Sequence, residues 1–500
     1  MKRFLGLAAG AATAGLLCST AASAVTADQV WAAMQQRIAA MNMTVTADSQ
    51  TKSGGTLALK GVKMVSTAPT GQVTISFSEL DLAEGGDGSV TITPPATIPL
   101  DLHLKNDKGD ETDLTVSVTQ TGAKTVVTGK EGDLTYNSAA DVVTATLDGI
   151  TSGGKKIDLR MKMGLDRMKG SYHLLGTGPI EADTSGTIDT VSLTIDATNP
   201  DGTGTLHGQA QMSGITSSGK MTMVPGVDMK NLAAALAAGY AVDSTLTYGP
   251  TTFSFDLDQA PKKDSVAGTV AAGNVTVSLD KGHIQYGGGS TGADVTVNST
   301  ESPIPQIAVK IAESAFNLLA PIAKSDTPQD FSLLVKLAGL SVNEDVWKMV
   351  DAKGVLPHDP ATVILDLAGK GKWAFDFFDP AQAATPPAVP GELDALTLKQ
   401  LQVTAVGAEL TGTGDLTFDN SAVPPGGMPK PTGAVNLKLV GGNGLIDKLT
   451  QMGVVPQDQA MGARMMLGMF AKPGDGPDTL TSQIEFKPDG AILANGQRIQ

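Results

Sequence analysis

Two stretches of this chain place glycines and a lysine almost where a phosphate-binding loop needs them. They are Gly149-Ile150-Thr151-Ser152-Gly153-Gly154-Lys155 and Gly214-Ile215-Thr216-Ser217-Ser218-Gly219-Lys220. Each lacks the closing Ser or Thr, carrying Lys156 or Met221 instead, and each runs into a strand-like pattern. Without a helix N-terminus the backbone cannot gather its N–H groups on a phosphate. Gly287, Gly289 and Gly292 match the spacing of a dinucleotide fingerprint, yet Ala293 to Val297 again reads as a strand. All three stretches are expected to be turns. The five histidines (His103, His173, His207, His283 and His358) form no local metal motif, and no serine sits in a Gly-x-Ser-x-Gly elbow. No carboxylate pair is marked as the acid and base of a glycosidase. The expectation is a protein with no catalytic residues, no cofactor and no metal; a hydrolase with a dispersed site is the weaker alternative.

The elements that position these residues are mostly strands. Apolar residues alternate with polar ones at Leu100, Leu102 and Leu104, and again at Leu114, Val116 and Val118, with Asn106–Gly109 as a hairpin connection. The pattern returns at Ile157–Met163, Val191–Ile195, Phe253–Leu257, Val275–Leu279 and Val435–Leu439. Mainly antiparallel β-sheet is the expected fold, as a β-sandwich or an open curved groove, with a few short amphipathic helices. Helices are expected at 28–42 with Asp28 as cap, at 228–240, at 306–320, at 343–351 capped by Asn343, and across 443–471. The methionines Met461, Met465, Met466 and Met469 read as core filler. The glycine stretches at 149 and 214, 65 residues apart, resemble a repeated β-unit. Ala384–Pro390 and Pro424–Pro431 are the loop candidates.

The first 24 residues read as a cleaved export signal. Lys2 and Arg3 precede an apolar run from Phe4 to Leu17, and Ala22-Ser23-Ala24 supplies a cleavage site before Val25. Leu17 sits where a lipidation signal needs a small residue, so acylation of Cys18 is the weaker reading. Cys18 is the only cysteine, so disulfides are excluded, which favours a Gram-negative periplasm over a eukaryotic secreted setting. With 51 acidic against 36 basic residues, a net charge of −15 argues against nucleic acid as partner. Few aromatics argue against a membrane-spanning barrel, and no transmembrane span is expected in the mature chain. The expected organisation is a signal at 1–24, a β-rich region at 25–226, a β-rich middle with a short helix at 227–300, and a further β region at 301–500.

From about Ile304 onward the chain resembles the bacterial envelope family of unknown function 2125. The residues that carry the likeness include Val346-Trp347-Lys348-Met349-Val350-Asp351 and Leu356-Pro357-His358-Asp359-Pro360-Ala361-Thr362, followed by the strand Val363–Leu367 with Asp366. Leu410–Phe418, with Gly412 and Gly414, and Phe486–Gly496, with Gly490, Asn495 and Gly496, complete it. His358 stands where the family pattern has arginine. These β-units also look like those of the AsmA-like envelope proteins, and that resemblance implies a link to lipid homeostasis. It implies no catalytic residues; the signature residues Trp347, Asp351, Pro357, Asp359, Pro360, Asp366, Gly412, Gly414, Gly490, Asn495 and Gly496 are expected to be structural. Long sheets with one apolar face must cover it with a second sheet, with helices or with a ligand. The readings that follow are a carrier of lipid or another hydrophobic ligand, a plain sandwich of two packed sheets with nothing bound, and a surface-displayed structural or adhesive protein; the partners expected are a lipid or hydrophobic ligand and an envelope protein.

Overall fold

The computed structural model describes residues 24–500, except 41–42, 69–70, 106–110, 200–201, 228–230 and 422–428. The signal segment, the Asn106–Gly109 connection and most of the Pro424–Pro431 stretch therefore lie outside the described residues. The protein is mainly β, and every strand joins one antiparallel sheet.

The sheet begins with β1 (Met43–Thr46) and β2 (Ser49–Ser53), both paired with β3 (Thr56–Ala68), which pairs with β4 (Gly71–Glu84). Four half-length strands follow. β5 (Val90–Thr93) pairs with the second half of β4, and β6 (Thr97–Lys105) with its first half. β8 (Lys124–Lys130) continues from β5 and β7 (Glu111–Thr121) from β6, and both end on the long β9 (Asp133–Ser152). β10 (Lys155–Lys156) closes a hairpin on β9, and the long β11 (Asp158–Leu175), β12 (Ile180–Thr198) and β13 (Thr205–Met223) add in order.

The split then repeats. β14 (Ala241–Tyr248) pairs with the second half of β13 and β15 (Thr251–Gln259) with its first half. β16 (Lys262–Val270) and β17 (Ala272–Leu279) extend them to the long β18 (His283–Ser299). The path β13 to β18 thus copies β4 to β9. This is the true internal repeat, and it lies in a different phase from the glycine stretches. Gly149–Lys155 runs along β9 into its hairpin with β10, whereas Gly214–Lys220 lies inside β13 and Gly287–Gly292 inside β18. The first is therefore a turn as expected, and the other two are strand interior.

A simple meander finishes the sheet: β19 (Gln306–Pro321), β20 (Gln329–Val342), β21 (Ala361–Trp373), β22 (Gly391–Ala405), β23 (Ala408–Asp419) and β24 (Lys430–Val440). β26 (Thr479–Phe486) pairs with β24 and with the short β25 (Lys472–Pro473), and β27 (Ile492–Ala494) and β28 (Gln497–Arg498) end it. At about 4.8 Å per neighbour, the roughly nineteen strand rows from β1 and β2 to β26 make a ribbon roughly 86 Å long.

Six helices decorate it among the described residues: α1 (Ala27–Ala40), α2 (Leu232–Ala237), α3 (Glu344–Val350), α4 (Pro380–Ala384), α5 (Gly442–Met452) and α6 (Gln457–Phe470). α1 is capped by Thr26 and not by Asp28: Thr26 N–H donates to Gln29 Oε1 at 2.9 Å and Gln29 N–H returns to Thr26 Oγ1 at 3.3 Å, a capping box. Asp28 pairs with Lys52 instead. The helix expected at 306–320 is the strand β19. Asn343 precedes α3, but its side chain stitches that end to β19, accepting from Ala308 N–H and donating to Gln306 O at 3.0 Å each.

Candidate functional site, an open apolar trough

Five long strands carry a left-handed residue near the middle, and these kinks line up. Gly61 in β3, Arg167 in β11, Gly214 in β13, Gly292 in β18 and Gly339 in β20 all have positive φ, between 48° and 67°. Each falls in a gap of the pairing register, and neighbouring gaps face one another. Asp166↔Thr190 gives way to Lys169↔Thr187, Thr190↔Ser213 to Ile188↔Ile215, Thr291↔Glu313 to Ala293↔Ile311, and Lys310↔Ser341 to Glu313↔Ala338. In the second split unit the ends of the short strands meet on this line. Gly249 N–H donates to Ser213 O at 2.8 Å, and Ala271 N–H to Thr291 O at 2.9 Å. On the outer side Arg167 pairs with Asp189.

The register is the same on both sides of each gap, so neighbouring strands make the step together: a left-handed residue bends the strand and resets which side chains face inward without slipping the pairing. In β11 the inward set is Leu159, Met161, Met163 and Leu165 before Arg167, then Met168, Tyr172 and Leu174 after it. In β13 it changes at Gly214 from Leu206, Ala210 and Met212 to Ile215, Met221 and Met223. A shared line of bends folds the sheet lengthwise into a trough, and the inversions keep the apolar residues of both flanks on one face.

Cross-strand partners share a face, so the register traces each flank. One row runs Ala145, Met163, Leu193, Ala210, Phe253, Gly268, Val295, Val309, Val342. The other runs Tyr136, Tyr172, Thr184, Gly219, Ser244, Val277, Tyr286, Leu318, Leu333, Leu367, Leu398, Gly414, Val435, Ile484. Through the middle of the sheet nothing covers these rows. Met163 is 41% exposed, Tyr286 50% and Leu318 37%, with Met161, Leu257, Val297, Phe316, Val335 and Val363 similarly open. A contiguous apolar surface of that extent marks an interaction site.

The two ends differ from the middle. α1 lies over the first strands and makes the main closed core: Val30, Leu59, Leu82, Val90 and Val127 are fully buried beside Val25, Ala27 and Trp31. At the far end α6 leans on the sheet through Met466, Leu467 and Phe470, leaving an apolar cleft of about 580 Å³ against Leu410, Leu437, Leu439, Leu480 and Ile484. Its methionines are not core filler. Met461, Met465, Met466 and Met469 are all exposed, and Met461, Met465 and Met469 form one stripe along α6.

The signature residues fall in separate places. Trp347 on α3 stacks on His358, with ring centroids 4.3 Å apart and planes within 5°. Asp351 ends α3, is 4% exposed and accepts from Leu356 N–H at 2.6 Å. Pro357 lies against Gly407 of the β22–β23 turn, while Asp359 and Pro360 are exposed ahead of β21. Asp366 in β21 faces Lys399 at 3.9 Å. A side chain at Gly412 would meet Leu437, and one at Gly414 would meet Val435, so the two glycines let β24 side chains lie over β23. Gly490 makes the turn before β27, and Asn495-Gly496 the tight turn of the β27–β28 hairpin, both with positive φ. Asn495 also accepts from Gln483 N–H and donates to Phe470 O, tying the end of α6 to β26.

The Leu356 N–H bond, reinforced by Val355 and Gly354, holds the Asp351 carboxyl below its ordinary range against the opposing effect of burial. A lowered carboxylate stabilises the fold above the unfolded-state value and loses that contribution as pH falls through the folded one. The melting-temperature gap between wild type and Asp351→Asn is therefore expected to be constant near neutrality and to close below about pH 4, as followed by circular dichroism.

Four histidines pair with single carboxylates: His103 with Asp113 at 2.6 Å, His173 with Asp133 at 2.9 Å, His207 with Asp196 at 2.7 Å and His358 with Glu344 at 3.1 Å. Asp113 raises the His103 imidazole above its usual range. Among the described residues no group of three or more His, Cys, Asp or Glu is placed to hold a metal ion. No helix of the described residues is long and apolar enough to cross a membrane.

An extended β-protein with an apolar trough on one face is the class that this geometry defines. Residues 290–496, from within β18 to just past β27, match the family described as "Uncharacterized protein conserved in bacteria (DUF2125)". No curated protein and no solved structure matches the chain.

Proposed function

We propose that this chain is a non-catalytic protein of the bacterial envelope, exported to the periplasm, whose trough shelters lipid or another hydrophobic ligand. The observation that carries this reading is the uncovered inner face. Large apolar side chains stay open to solvent from Met161 and Met163 in β11, through Leu257, Tyr286, Phe316 and Leu318, to Val335 in β20 and Val363 in β21, while closed burial is concentrated beneath α1. A ligand with hydrocarbon chains supplies the missing layer at roughly 25 cal/mol for each Å² it removes from water. The acidic balance fits a carrier that stays soluble and away from anionic membrane surfaces. The resemblance of the β-units to AsmA-like envelope proteins points the same way.

The test is native mass spectrometry of protein purified gently from the envelope fraction. The expected result is a chain beginning at Val25 that carries a hydrophobic adduct released by organic solvent. Protein that is free of adduct, and that fails to take up a fluorescent fatty acid offered afterwards, would remove the carrier role and leave a structural one.

A further inference from the structure

The trough has a polar anchor at its α1 end. We infer that the cleft between α1 and the inner faces of β3, β4, β9 and β11 holds the anionic head group of an amphiphile, with Arg37 as its counter-charge. This deepens the carrier reading above and rests on it.

The cleft encloses about 390 Å³ and its walls are otherwise apolar or neutral; Arg37 is the one charged residue lining it. Its guanidinium lies 5.3 Å from the Tyr136 ring centroid and 5.9 Å from that of Tyr172. Two ring faces hold the cation in place, while its N–H edges stay available for a planar or tetrahedral oxyanion. No carboxylate pairs with Arg37 among the described residues, in a protein where acids outnumber bases. Trp31 and Tyr136 line the same cleft, and Trp31 is 5% exposed. Burial raises the Tyr136 hydroxyl above its usual range, against the opposing pull of Arg37, so it stays a proton donor at neutral pH.

The cleft also opens in the right direction. Tyr136 and Tyr172 are cross-strand partners whose row passes Thr184, Gly219 and Ser244 before Val277, Tyr286 and Leu318, and the neighbouring row on the same face, Leu174, Ala182, Met221, Val242, Leu279 and Ile284, is apolar throughout. A head group on Arg37 therefore leaves its chain lying on the trough floor. A carboxylate and a phosphate meet the same donors.

Isothermal titration of the full mature chain with oleate, oleoyl lysophosphatidate and oleyl alcohol separates the possibilities, since the three share one hydrocarbon chain. The expected result is that at least one anion binds about tenfold or more tighter than the alcohol, and that Arg37→Gln abolishes this preference while leaving alcohol binding unchanged. Arg37→Lys is expected to restore part of it, which separates lost charge from lost folding. Whichever anion shows the larger Arg37-dependent gain identifies a carboxylate or a phosphate source. Equal binding of all three probes, or a preference that survives Arg37→Gln, overturns the anchor and leaves the trough standing. Binding of none of them overturns both.

Discussion

Met163→Asp is expected to leave a folded protein that no longer retains hydrophobic ligand, whereas Leu59→Asp is expected to unfold the end of the sheet beneath α1. Both residues point to the same face of the same sheet, and they differ in what lies above them. Met163 is 41% exposed, so a carboxylate there keeps its water and costs the fold little, but it sits on the path that hydrocarbon must occupy. Leu59 is fully buried beneath α1, in the core with Val30, Leu82 and Val127. An unpaired charge in that layer costs several kcal/mol, and even Leu59→Ala should cost about 2–5 kcal/mol. Urea unfolding followed by circular dichroism, alongside uptake of a fluorescent fatty acid, reads both effects. If Met163→Asp destabilised as much as Leu59→Asp, the inner face would be a closed core and the trough reading would fail.

The contrast between these two positions was only half legible in the sequence. Alternation at Leu100–Leu104, Leu114–Val118 and Phe253–Leu257 announced strands with one apolar face, and those strands are present. What alternation could not convey was strand length. β11 runs through 18 residues and β12 through 19, yet their patterns appeared as short separate runs, because the line of kinks inverts the phase in mid-strand. The same inversion explains the false helix at 306–320. In β19, Ile307, Val309 and Ile311 face inward before Ala312, and Phe316, Leu318 and Ala320 after it. Ile307 and Ile311 from the first phase and Leu318 from the second, with Ala315 of the outer face between them, imitate a helical stripe. Gly214 and Gly292 drew attention as parts of phosphate or dinucleotide motifs, when their role is to carry the kinks. The Arg37 cleft had no sequence signal at all. Trp31 and Arg37 lie in the helix expected at 28–42, but Tyr136 and Tyr172 reach them only through the pairing of β9 with β11.

Deleting Gly214 is expected to damage the protein far more than replacing it by alanine. Gly214 has a φ of 62°, which an L side chain adopts at a cost of roughly 1–2 kcal/mol. An added Cβ there would find only Gly249 N nearby, at 3.9 Å, so Gly214→Ala pays for backbone conformation and almost nothing for space. Deletion acts differently, because it removes the residue that resets the alternation. Keeping Leu206, Ala210 and Met212 inward then turns Ile215, Met221 and Met223 to the outside of the sheet and Thr216, Lys220 and Thr222 to the trough. Restoring the faces instead requires breaking the ladder of 18 pairs with β12 or shifting it against β14 and β15. Either outcome puts apolar side chains on the outer face or breaks ladder hydrogen bonds, and the expected result is aggregation or a much lower melting temperature on heating, against a small decrease for the alanine variant. Equal tolerance of deletion and alanine would mean that Gly214 is an incidental kink and that the line of kinks does not organise the trough.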